Sequence, residues 1–160
     1  MPAEAEVNLP SDTEIEVIRD FAAPRALVYL AYTKPELVRR WLLGPPGWTM
    51  PVCEIDLRVG GGYHYRWENK EKGSGFGLKG VFDLIKPDEK FDARESFIGT
   101  DPPGEAKVET SFADHGAGTR VTYLITAASK ELRDAAIATG MTDGMEMSFK
   151  ALDRVLAAEA

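Results

Sequence analysis

ELRDAAIATGMTDGMEMSFKALDRVLA, residues 131–157, places Met141, Met145, Ser148, Phe149, Leu152, Val155 and Leu156 at steps of three and four. At 3.6 residues per turn such steps return the chain to one side, so these residues form a single apolar stripe on a long helix. Gly140 and Gly144 stand near its start, where either glycine is a candidate to break it. A stripe of this length must lie on a broad apolar surface, and the rest of the chain has to supply it.

Upstream of that helix the period changes to two. Six segments, 50–57, 62–68, 75–85, 91–98, 106–113 and 119–126, alternate apolar and polar residues between turns rich in Gly, Pro and Asp. Lys86-Pro87-Asp88-Glu89 and Asp114-His115-Gly116-Ala117-Gly118 are the clearest hairpin signals. The short spacing predicts an antiparallel meander, because parallel strands need long crossovers between them. Another strand is expected at 13–21, where Ile15, Val17 and Ile18 are β-branched, and Pro24 is placed to open a helix after it. Residues 25–41 carry Leu27, Val28, Leu30 and Ala31 at helical spacing, and Pro35 divides them into two short helices. Gly44-Pro45-Pro46-Gly47 then turns the chain into the meander.

The predicted fold class is α+β: a curved, seven-stranded antiparallel sheet wrapped on a long C-terminal helix, with two short helices after strand 1. Residues 1–12, polar and containing Pro2 and Pro10, read as a flexible N-terminal tail, and 13–160 as one domain. With 160 residues and 44% hydrophobic content, the chain has no room for a second domain. A long helix laid across a curved sheet leaves space beneath it, and that space is the expected ligand pocket.

Composition narrows the partners. The 26 acidic and 19 basic side chains leave a formal net charge of -7, which repels phosphate backbones and anionic membranes. Nucleic acid and membrane insertion are therefore not expected. Residues 1–11 include Glu4 and Glu6 and lack the basic and apolar parts of a secretory signal, and no apolar run is long enough to span a bilayer. The lone Cys53 cannot form an internal disulfide. A cytoplasmic monomer or homodimer is the expectation.

Several short elements, taken in order, carry a resemblance. Phe21-Ala22-Ala23-Pro24, Val28, Tyr32-Thr33-Lys34-Pro35-Glu36-Leu37, Arg40-Trp41 and Gly44-Pro45 resemble the opening of proteins similar to the activator of heat-shock protein 90 ATPase, within the SRPBCC or START-like superfamily. Arg58-Val59-Gly60-Gly61, followed by Tyr63 and Tyr65, resembles that family's Arg-Pro-Gly-Gly element with its two downstream aromatics, Val59 replacing the usual proline. Gly80-Val81-Phe82, Gly144-Met145 and Leu152-Asp153-Arg154-Val155 extend the resemblance over nearly the whole domain. Leu42 departs from an aromatic, and Met145 stands where relatives commonly carry Trp. The resemblance implies the helix-grip fold and a cavity between sheet and C-terminal helix. It implies no single activity, because relatives include lipid carriers, cyclases, hydrolases and chaperone activators.

Strand alternation names the side chains that would line the cavity. Tyr63, Tyr65 and Trp67 share one face; so do Phe76, Leu78, Gly80, Phe82 and Leu84; so do Phe91, Ala93, Glu95 and Phe97. Val108, Thr110 and Phe112, then Val121, Tyr123 and Ile125, continue it. Trp41, Met141, Met145 and Phe149 approach from the helices. An ordinary filled core is the alternative, but tyrosine hydroxyls, Thr110 and Glu95 on otherwise apolar faces favour a wet pocket, since a dry core rarely keeps polar groups without partners. Glu95, if inward, is a ligand anchor or general acid, or else a structural partner for a tyrosine hydroxyl or for Arg58.

Other chemistry is weaker. Gly60-Gly61-Gly62 lacks a following Gly-Lys-Ser/Thr and precedes a strand, so it reads as a tight structural turn at Gly60 and Gly61 rather than a phosphate cradle. His64 alternates away from Tyr63 and Tyr65, His115 sits in a turn, and Cys53 reads as a buried thiol, so no metal site is expected. The leading functional expectation is a cofactor-free protein that binds a small apolar or aromatic molecule. A chaperone-interacting module, working through an exposed apolar patch, comes second, and a cyclase- or hydrolase-type enzyme third.

Overall fold

In the computed structural model of the protein, which describes residues 3–99 and 105–159, β1 (Glu6–Asn8) and β2 (Glu14–Phe21) pair antiparallel with Val7 opposite Val17. Buried Ile15, Val17, Arg19 and Phe21 alternate along β2 with half-buried neighbours, the signature of a strand with one face on the core. Pro24 is the N-cap of α1 (Arg25–Thr33), and Pro35 opens α2 (Pro35–Trp41). Lys34 between them is extended, as the residue before a proline must be to avoid its ring.

The meander follows as β3 (Trp48–Ile55), β4 (Gly62–Asn69), β5 (Ser74–Lys86), β6 (Lys90–Ile98), β7 (Glu105–His115) and β8 (Gly118–Ala127). All pairs are antiparallel, and the sheet runs β1-β2-β8-β7-β6-β5-β4-β3. The C-terminal part is α3 (Lys130–Ala138) and α4 (Met141–Glu159). Ser129 caps α3 through its side chain, and Gly140, at φ +82°, ends it. No described helix is long and apolar enough to cross a membrane.

Four expectations change. The sheet has eight strands rather than seven, because Glu6–Asn8, within the stretch read as a tail, pairs with β2. The two short helices accordingly follow the second strand, and the predicted long helix is two, since a residue at positive φ cannot continue an α-helix. Gly144, by contrast, lies inside α4. Leu84 also leaves the inward face: a bulge between Phe82 and Leu84 sets Leu84 opposite Asp92 and brings Ile85 opposite Phe91. Met1 and Pro2 of the tail, and 100–104 and Ala160 of the predicted domain, lie outside the described residues.

Two apolar clusters fill the concave side. The larger joins β2, α1, α2, β7, β8 and α4 through Phe21, Val28, Trp41, Phe112, Val121, Phe149 and Leu152. The smaller gathers Val38, Met50, Cys53, Tyr65 and Trp67 beneath α2. α4 therefore covers the β2–β8 side, while the short α2 reaches both clusters, so the last helix does not cover the sheet alone as expected. Buried Phe82 and Ala93 and half-buried Phe91 and Glu95 occupy the inward face between the clusters.

Candidate functional site

The Tyr63, Gly80 and Glu95 backbones lie side by side across β4, β5 and β6. Gly80 has no side chain, so the Tyr63 ring crosses over it and donates its hydroxyl to Glu95 Oε2. Tyr63 stacks on Tyr65 at 5.3 Å between ring centroids and meets Phe82 at 5.4 Å. Tyr32 of α1 and Tyr123 of β8 share a hydroxyl–hydroxyl bond. Thr110 of β7 lies between Phe91 and Tyr123 in register. Two phenol pairs and one carboxyl thus stand on a face otherwise built of apolar groups.

Burial controls their chemistry. It raises the pKa of Glu95, which the Tyr63 hydrogen bond only partly offsets. It also raises Tyr63, with the Glu95 charge and hydrogen bond adding to the effect, and it raises Tyr65, Tyr32 and Tyr123. The phenols therefore stay protonated and available as donors, and Glu95 is the sole carboxyl among them. Tyr63, Glu95, Tyr123, Met141 and Met145 nonetheless keep accessible surface, although they point inward.

The sequence-predicted residues divide between half-buried and buried positions, with Phe97 exposed. Trp41 is buried, packs on Tyr32 at 4.9 Å and donates Nε1–H to Ala31 O; Trp67 donates Nε1–H to Leu42 O. Both indoles spend their donor on the backbone and act as walls. Tyr65, Phe82, Thr110 and Phe149 are buried beside them. Phe97 is 40% exposed at the end of β6, against Phe76. Glu95 takes the tyrosine hydroxyl as partner; Arg58 instead pairs with Asp56.

Sequence reasoning missed a buried charge cluster. Arg19, 2% exposed, donates Nε–H and Nη2–H to Glu146 and Nη1–H and Nη2–H to Asp153 at 2.8–3.1 Å, tying β2 to α4. Glu146 also accepts from the Ala5 backbone N–H. The signal was present, because Arg19 shares parity with Ile15, Val17 and Phe21, and an arginine on a buried face requires carboxylates. Tyr32, bonded to Tyr123, was likewise not assigned to the pocket.

The remaining polar candidates lie apart. His64 is on the outer face beside Glu54 at 3.6 Å, and His115 is the last residue of β7, beside Asp20 and Arg120 rather than in the turn expected for it. Cys53 is buried opposite Tyr65, and burial pushes its thiol pKa up. Among the described residues no group of three or more metal-ligating side chains converges. At the tight turn, Gly60 has φ +85°, and a Cβ on Gly61 would meet Asp56 O at 2.5 Å. An open cleft of about 560 Å³ lies beside this turn, lined by Glu54, His64, Lys79 and Val81.

A curved antiparallel sheet gripping a C-terminal helix over a face of mixed phenols and apolar groups defines a START-like protein. Residues 22–157 match the family model described as Activator of Hsp90 ATPase homolog 1-like protein, and the chain belongs to that family. It is similar to a solved protein from Rhodobacter sphaeroides, at 31% identity and TM-score 0.91 over 98% of this chain and 99% of that one. A protein from Mycobacterium smegmatis (24% identity, TM-score 0.85, all of both chains) and one from Nitrosomonas europaea (22%, 0.81, 94% and 98%) share the fold. No curated protein matches the chain.

Proposed function

We propose that the protein binds a small, mainly apolar molecule in the space between the two apolar clusters, under α4. One observation carries this reading: inward-pointing Tyr63, Glu95, Tyr123, Met141 and Met145 keep accessible surface where a filled core would bury them. The phenols and Glu95 fix the ligand's polar end, and the methionines adapt to its apolar body. The role is carriage or sensing, without a cofactor or covalent step. Native mass spectrometry of freshly purified protein tests it: a co-purified small molecule, or saturable binding of ANS within the cavity, is expected. Protein that carries nothing and binds no apolar probe overturns it.

A chaperone-interaction role is the second reading, favoured by Leu57, Val59 and Val81, which are exposed at and beside the Gly60–Gly61 turn. Backbone bonds from Gly60 N–H to Phe82 O and from Phe82 N–H to Gly61 O hold that turn against β5. Replacing Val59 and Val81 with Ser leaves ANS binding in the cavity unchanged under the first reading and abolishes chaperone binding under the second.

A further inference from the structure

We propose that the cavity selects an apolar molecule bearing a protonated amine, which sits against Glu95 among the rings of Tyr63, Tyr65 and Tyr123. The inference rests on the reading of this space as a ligand site and names the chemistry of its occupant.

Glu95 lies on an interior strand of the sheet, and its partner among the described residues is one phenol, on Oε2. Oε1 is left to accept. No cation among the described residues offsets this carboxyl. Lys79, Arg94 and Lys107, on the flanking and same strands, occupy the opposite register and therefore the outer face. Arg19 faces inward from β2 and is already engaged by Glu146 and Asp153, while Arg39 of α2 lies near Cys53 of β3, which stands opposite Tyr65 rather than Glu95. A ligand carboxylate placed here would thus meet a carboxyl with no cation beside it among the described residues, which disfavours fatty acids and other anions.

An ammonium finds the reverse. Its N–H groups meet Oε1 in a charge-assisted hydrogen bond, and desolvation strengthens that attraction relative to water. The Tyr63–Tyr65 stack at 5.3 Å adds the negative faces of aromatic rings, which attract cations. Burial, which disfavours an isolated carboxylate at Glu95, is offset when the ligand brings the opposite charge. A neutral alcohol satisfies Oε1 as well but gains neither the charge pairing nor the ring attraction.

Three matched probes, 2-naphthylmethylamine, 2-naphthylmethanol and 2-naphthoic acid, test this by titration calorimetry at neutral pH and high salt, where surface attraction to the net charge is screened. The amine is expected to bind the wild-type protein at least about tenfold more tightly than the alcohol, roughly 1.4 kcal/mol, with the acid weakest. Glu95→Gln should bring the amine down to the alcohol's affinity and leave the alcohol unchanged, which also reports that the variant is folded. If Glu95→Gln does not fold, the wild-type ranking decides alone. Alcohol binding equal to or tighter than amine binding overturns the amine inference and leaves the cavity reading standing. Absence of binding by all three overturns both.

Discussion

Gly80 provides the floor for Tyr63: a Cβ at that glycine would fall 2.2 Å from Tyr63 Cζ and 2.5 Å from its hydroxyl oxygen. The glycine lets a phenol on β4 reach across β5 to a carboxyl on β6. Ordinary side chains project away from the sheet and close that path.

Gly80→Ala should therefore displace the Tyr63 ring and break its bond to Glu95, lowering stability by roughly 1 to 3 kcal/mol. In a Tyr63→Ala background the same change should cost little, because the clash is gone. Denaturant unfolding of the four proteins gives the coupling energy, and strictly additive effects would refute the crossing geometry.

The Arg19 cluster sets an acid limb. Hydrogen bonding and charge from Arg19 outweigh burial and hold Glu146 below its ordinary value of 4.5. A depressed carboxyl stabilises the fold above its unfolded pKa and loses that contribution as pH falls through the folded one. Stability should thus drop below about pH 4.5, and Glu146→Gln should cost about 1 to 3 kcal/mol at neutral pH while flattening that drop. Glu95 acts oppositely: its raised pKa makes its contribution decline as pH rises from 4.5 through the folded value. Thermal melts across pH of wild type, Glu146→Gln and Glu95→Gln separate the two, and an unchanged acid limb in Glu146→Gln contradicts the assignment.

Gly61→Val should destabilise the domain by roughly 1 to 3 kcal/mol. Its Cβ would collide with Asp56 O at 2.5 Å, a backbone atom that cannot step aside cheaply. The measurement is a melting temperature, and no change would remove the steric argument for this turn.

Met145 packs half-buried against the larger cluster at the border of the proposed cavity. Met145→Trp should keep or raise the melting temperature, since the ring fills open space and adds buried apolar area at about 25 cal/mol per Å². ANS affinity should fall sharply in the same protein. A loss of about 1 to 3 kcal/mol would instead indicate a packed site with no space to fill.

By itself the sequence determined most elements and their facing. Alternation placed Tyr63, Tyr65, Trp67, Glu95, Thr110 and Tyr123 inward, prolines 24 and 35 set the helix starts, and the glycines marked the tight turn, because each rests on local backbone geometry within a few residues. The bulge at Phe82/Leu84 and the short β1 escaped it, since both depend on what a neighbouring strand offers rather than on the segment's own pattern. Only the tertiary structure decided that Tyr63 reaches Glu95 over Gly80, that Tyr32 meets Tyr123, and that Arg19 is claimed by Glu146 and Asp153. Those partners stand 32, 91, 127 and 134 residues apart. Periodicity tells which way a side chain points, whereas the curvature of the sheet and the seat of α4 fix what it meets.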